Sequence, residues 1–210
     1  MNFVLIQKLL SVVYFALALA LSFCMVGGLL MGESLGDTSI QGFFCSVAIA
    51  LLLACVVRFN ATKVQKQHQG SEKLFFRREA LCTIGLTWIS TAFIGALPFF
   101  LGLEACSFVD ALFESTSGIT TTGATIFSDF EKLSYSLFLW RSLSQWIGGL
   151  GVIVFFVAIL TSLGAGAKIL FSNESSVTAA DFEQGRIQDG VNKLLIFYTS
   201  LTGLLSLIHI

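Results

Sequence analysis

"SGITTTGATIFSD", residues 117–129, sits in a 210-residue chain that is 55% hydrophobic and 12% charged. It does not read as part of a transmembrane helix. Threonine is β-branched, and glycine costs about 1 kcal/mol in a helix interior. Yet apolar runs flank it, at about 80–103 and 134–164. The fold turns on what such a segment does between two hydrophobic spans.

The composition makes those spans membrane helices. A soluble domain averages about 25% charged residues, and this chain has half that with a mean hydropathy of +0.85. Further apolar runs lie at 3–31 and 43–57, and another starts near 191. A span needs about 20 apolar residues. Residues 9–31 read as a retained helix, not a signal peptide. "LSFC" (21–24) resembles a lipoprotein cleavage box, but Phe23 is too bulky there and the apolar run continues past it.

Several functions are set aside. A net charge of −1 offers no surface for nucleic acid. The five cysteines (24, 45, 55, 82 and 106) form no Cys-x-x-Cys pair, and His68 and His209 are isolated. No cofactor is expected. No nucleophile stands beside a base, so an enzyme is not expected either.

Loop charge orients the chain. Residues 58–78 carry Arg58, Lys63, Lys66, Lys73, Arg77 and Arg78. The positive-inside rule places that loop in the cytoplasm. The N-terminus and 167–190 are then also inside, and 32–42 and 104–133 outside. Lys132 is the one basic residue of the outer loops. Membrane lipid is the expected surrounding; the basic loop reads as an ordinary inside-loop signal, with contact to anionic headgroups as the alternative.

Residues 104–133 thus leave and return on one side. Within them, 107–119 predicts a short amphipathic helix, with Ser107 as N-cap and Asp110 completing a capping-box variant. Asp110 and Glu114 share a face. Such a helix covers about 20 Å, enough to dip halfway into a bilayer. Gly118 is expected to end it with a left-handed turn, and extended chain follows. Extended backbone at membrane depth is tolerated where it is buried in protein or lines a watery cavity. Its carbonyls can then replace the hydration shell of a potassium ion. Thr121, Thr122, Gly123 and Ala124 are the expected carbonyl stack, flanked by Thr120 and Thr125, with potassium held at Thr121, Thr122 and Gly123. The competing reading is a flexible external loop.

Arg141 lies about eight residues into the following helix. It is expected either to pair with Glu114 or Asp110 and brace the filter, or to snorkel to the interface. The "WIGGLGV" cluster (146–152) is expected to permit close helix contact and, less so, to act as a flexible point. Pro98 is expected to kink or end its helix. Trp140 and Trp146 are candidates for interface anchors or for packing.

"FVDALFESTSGITTTGATIF" and "LFLWRSLSQWIGGLGVIVFFVAILTSLGAGAKILFSNESS" resemble the Trk/Ktr/HKT superfamily of potassium transporters, most closely the bacterial Trk type. The likeness covers about 75–200. It implies an all-α integral membrane fold built from four helix–pore loop–helix units around one pore. Mapped here, residues 1–60 are two N-terminal helices and 61–76 a basic cytoplasmic loop. Residues 77–166 form the first pore unit, 167–189 a cytoplasmic linker, and 190–210 the start of a second unit. The last residues, "LLSLIHI" (204–210), stop inside an apolar helix. The expectation is an N-terminal portion whose remaining pore units come from elsewhere, and which does not conduct alone. The resemblance also implies a bacterial inner-membrane location, a homodimer of the complete protein, and a separate cytosolic nucleotide-binding regulatory subunit. The alternatives are a subunit of a tetrameric two-helix cation channel and a non-transporting membrane remnant.

Overall fold

Each apolar run becomes a helix. The computed structural model describes residues 3–67, 77–104, 106–128, 133–162 and 184–209. Residues 68–76 of the expected basic loop, Lys132 and most of the expected linker at 167–189 lie outside the described residues. All regular structure among the described residues is helical: α1 (Phe3–Leu30), α2 (Thr38–Gln67), α3 (Arg77–Gly102), α4 (Phe108–Ile119), α5 (Tyr135–Ser162) and α6 (Gln184–His209). Segments Phe3–Leu30, Thr38–Lys63 and Leu81–Gly102 are long and apolar enough to cross a membrane. With α4 at 12 residues, the chain is an all-α integral membrane protein carrying one short helix between two long ones.

The described helices fall into two units, Met1–Gly149 and Leu150–Ile210. The second contains the end of α5 and all of α6, which begins at Gln184 and so includes Arg186 and Asp189 ahead of the apolar run. The first holds everything from α1 to the first half of α5.

In that first unit α1 packs on α2 and α3, α2 on α3, and α3 on α4. Its core runs through Leu17, Leu21, Phe43, Phe99, Leu137 and Trp140. Burial gains little for an apolar helix already in lipid, so close packing decides which faces meet. Small residues make the contact possible. A Cβ on Gly42 would fall 2.8 Å from the Gly102 backbone nitrogen, so α2 and α3 touch backbone to backbone there. Several helical hydroxyls are satisfied locally: Ser22, Ser46, Thr83 and Ser90 donate to carbonyls four residues earlier. A bilayer core supplies no water to do this.

Pro98 lies inside α3, and the helix continues to Gly102. It does not end the helix. Nearby α3 carbonyls take donors from other helices: Ser115 Oγ donates to Ala92 O at 2.8 Å, and Trp140 Nε1–H to Gly95 O at 2.9 Å. Trp140 is 1% exposed and is a packing residue, not an interface anchor.

Candidate functional site

α4 starts where its sequence says it should. Ser107 is the N-cap, and its Oγ accepts the Asp110 N–H at 3.2 Å. Asp110 Oδ2 takes the Ser107 hydroxyl at 2.6 Å and its N–H at 3.4 Å. Asp110 is therefore spent on the cap.

The far end of α4 departs from expectation. Gly118 does not terminate the helix, which runs on to Ile119. The left-handed residue is Thr121, at φ +57°. Gly118 is buried in the last turn, where a Cβ would fall 2.5 Å from Ser144 Oγ; its small size serves the contact with α5. The N–H groups of Thr120, Thr121 and Thr122 fold back onto the carbonyls of Thr116, Gly118 and Ser117 at 2.9–3.0 Å. Gly123 is the second left-handed position, at φ +77°.

Residues 120–125 are exposed along one side and held from the other. Glu114, 1% exposed, is the centre of that support. It accepts the Thr125 hydroxyl on both oxygens at 3.1 Å and the Ile126 N–H at 3.1 Å. It also pairs with Arg141 through Nε. Of the two candidate carboxylates, Arg141 meets Glu114. The guanidinium does not snorkel: its side chain is 14% exposed, and Nη2 donates to Gly123 O at 3.4 Å. Ser117 Oγ donates to Ala124 O at 2.5 Å.

These bonds redistribute the expected carbonyl stack. Ala124 O turns back toward α4, where it accepts the Ser117 hydroxyl. Gly123 O is shared with Arg141. Among the described residues no hydrogen bond is made to the carbonyls of Thr120, Thr121 or Thr122. Thr120 and Thr122 also set their hydroxyls 2.8 Å apart. The open oxygens thus lie one residue earlier than the sequence pattern implied.

The glycine cluster of α5 serves contact, not a break. α5 is continuous through it. A Cβ on Gly148 would overlap the Ile119 carbonyl and lie 2.7 Å from its carbon. The α5 backbone thus rests directly on the residue that enters the strand.

One residue with a part in this arrangement is, in the sequence, simply an acid of an outer loop. Glu33, in the α1–α2 connection, accepts the Ser136 N–H at 2.8 Å and the Ser136 hydroxyl at 2.7 Å. No local pattern signals a bond across 103 residues.

The chain can be set beside known proteins. The profile of the TrkH family, described as a cation transport protein, matches residues 39–210. The Trk system potassium uptake protein TrkH of Escherichia coli K12 is 34% identical over 176 residues, covering 83% of this chain and 34% of that protein. The Trk system potassium uptake protein TrkI of Halomonas elongata is 47% identical over 91 residues, covering 43% of this chain and 18% of its own length. The crystal structure of the potassium transporter TrkH from Vibrio parahaemolyticus superposes with a TM-score of 0.65 at 28% identity, over 93% of this chain and 37% of that one. The chain therefore spans less than two fifths of the relatives it matches.

Proposed function

The chain belongs to the TrkH family of cation transport proteins, and from that premise we propose that it supplies one pore unit and one selectivity-filter strand to a potassium-uptake system. The observation that carries this reading is the strand 120–125. Exposed on one side and bonded on the other to Glu114, Ser117 and Arg141, it is held without help from the ion. That is what a carbonyl filter requires. The Thr120, Thr121 and Thr122 carbonyls, with that of Gly123, are the ion-facing oxygens. α3, α4 and α5 are its outer helix, pore helix and inner helix.

One strand surrounds an ion on one side only. The other strands come from further pore units, in the same polypeptide or in partner chains. The protein sits in a bacterial inner membrane with its N-terminus in the cytoplasm. A homodimer and a cytosolic nucleotide-binding subunit are the partners this reading adds.

Gly123→Ala tests the filter. No heavy atom lies within 4 Å of the added methyl, so space is not the obstacle. Holding alanine at φ +77° costs about 1–2 kcal/mol, and the strand escapes by changing shape. Rubidium uptake is measured in cells lacking their own potassium uptake, with chains carrying the remaining pore units supplied. Uptake or potassium-over-sodium preference should fall roughly tenfold, the rate equivalent of that cost. Unchanged uptake and preference at equal membrane abundance would remove residues 120–125 from the ion path.

A further inference from the structure

We propose that Glu33 is a positioning residue for the filter strand. It clamps the first turn of α5 and so sets Arg141 against Glu114 and Gly123. The inference rests on the filter reading of residues 120–125 and adds a role for the α1–α2 hairpin.

The clamp is built from several independent features. The chain leaves α1 and turns at Gly32, φ +99°, and the Glu33 N–H returns to Gly28 O at 3.1 Å. This brings the carboxylate over the start of α5. Oε1 accepts the Ser136 N–H, and Oε2 accepts the Ser136 hydroxyl and, at 3.3 Å, that of Ser39 from α2. One carboxylate therefore joins α1, α2 and α5. An anion at a helix N-terminus also meets the positive end of the helix dipole.

Room for it is made by two glycines. A Cβ on Gly28 would lie 2.7 Å from Glu33 Oε2 and 2.8 Å from Ser136 Cβ. One on Gly27 would lie 2.7 Å from Leu139 Cδ2. The end of α1 is thus pressed against the first turns of α5. The same end of the bundle is tied to α3, where Thr38 Oγ1 donates to Gly102 O at 3.3 Å.

From Ser136 to Arg141 is five residues, about 7.5 Å of helix. Leu137 and Trp140, 0% and 1% exposed, lie between them and give the helix no slack. A first turn released from Glu33 shifts or frays, and the guanidinium moves with it. Glu114 then holds Thr125 and Ile126 with a weaker partner.

Residue-resolved amide hydrogen exchange on the protein in lipid nanodiscs tests this. A local cap protects the Ser136 amide alone. A positioning residue also protects the Ile126 amide, which donates to Glu114 on the other side of Arg141. In Glu33→Ala both amides should exchange roughly three- to tenfold faster, the factor expected for a lost hydrogen bond. Glu33→Gln, which keeps one acceptor oxygen, should show a smaller change at both. Ala18 and Ala50, buried in α1 and α2, report the fold as a whole. If they also speed up in Glu33→Ala, the milder Glu33→Gln decides, by the same pair of amides. Faster exchange at Ser136 with Ile126 unchanged overturns the proposal and leaves the filter reading intact. The filter reading is judged separately, by the uptake of Gly123→Ala.

Discussion

Glu114 is a carboxylate with almost no access to water, and it is tolerated because its oxygens accept from Thr125, Ile126 and Arg141. Breaking such a pair from one side is costly, about 3–5 kcal/mol, since it strands the other charge. Glu114→Gln and Arg141→Gln should each lower the thermal unfolding temperature in detergent, and the exchanged pair Glu114→Arg with Arg141→Glu should recover part of the loss. A double variant no better than the worse single one would mean that the two charges do not support each other. Thr121 stores a different cost. A β-branched residue at φ +57° is a genuine outlier, and such strain persists where surroundings impose it, often at functional sites. Thr121→Gly should therefore raise stability, by up to about 1 kcal/mol, while reducing potassium-over-sodium preference. Destabilisation would show that Thr121 is at ease in the native strand.

Among the helices, α4 and α5 are matched at a few points where a glycine on one side leaves room for the other. Gly148 under Ile119 and Gly118 under Ser144 let the two approach more closely than side chains allow. Gly148→Ala forces a methyl into backbone that cannot rotate away. Overpacking of this kind costs typically about 1–3 kcal/mol, and the expected readout is a lower unfolding temperature with impaired uptake. Gly85, in the middle of α3, has nothing within 4 Å of an added Cβ. Gly85→Ala should be neutral or stabilising by up to about 1 kcal/mol. If the two substitutions behave alike, the contact of α5 with the strand entry is not the reason for glycine at 148.

The connections at one end of the first unit join α1, α2, α3 and α5 through Glu33, Ser136, Thr38 and Gly102. Loop charge predicts that this end faces away from the cytoplasm, and Cys106 tests that. It lies between α3 and α4, outside the spans, and its thiol is pushed above its ordinary pKa by partial burial and by the negative charges of Asp110 and Glu114. A raised pKa means less thiolate at neutral pH, and thiolate is the reactive form. A variant with Cys106 as its only cysteine should react with a membrane-impermeant maleimide added outside intact cells stripped of their outer membrane. The reaction should be slow near neutral pH and faster as the pH rises. Labelling only after the membrane is opened would invert the orientation.

The helices and the start of α4 were legible in the amino-acid order because their causes are local. Apolar length marks a span, Ser107 and Asp110 mark a helix start, and a threonine-glycine run refuses a helix. Even Arg141 was readable as far as a choice between pairing with one of two carboxylates and snorkelling to the interface. What the order left open depends on distances between residues far apart in the chain. Glu114 prevailed over Asp110 because Asp110 was already held by its own cap. The left-handed turn fell on Thr121 because Gly118 was needed, without a side chain, against Ser144. Ala124 O was claimed by Ser117, which moved the open carbonyls one residue earlier. Glu33 acquired its role only when folding carried Ser136 to it. In each case a residue had more than one locally acceptable use, and three-dimensional packing left room for one.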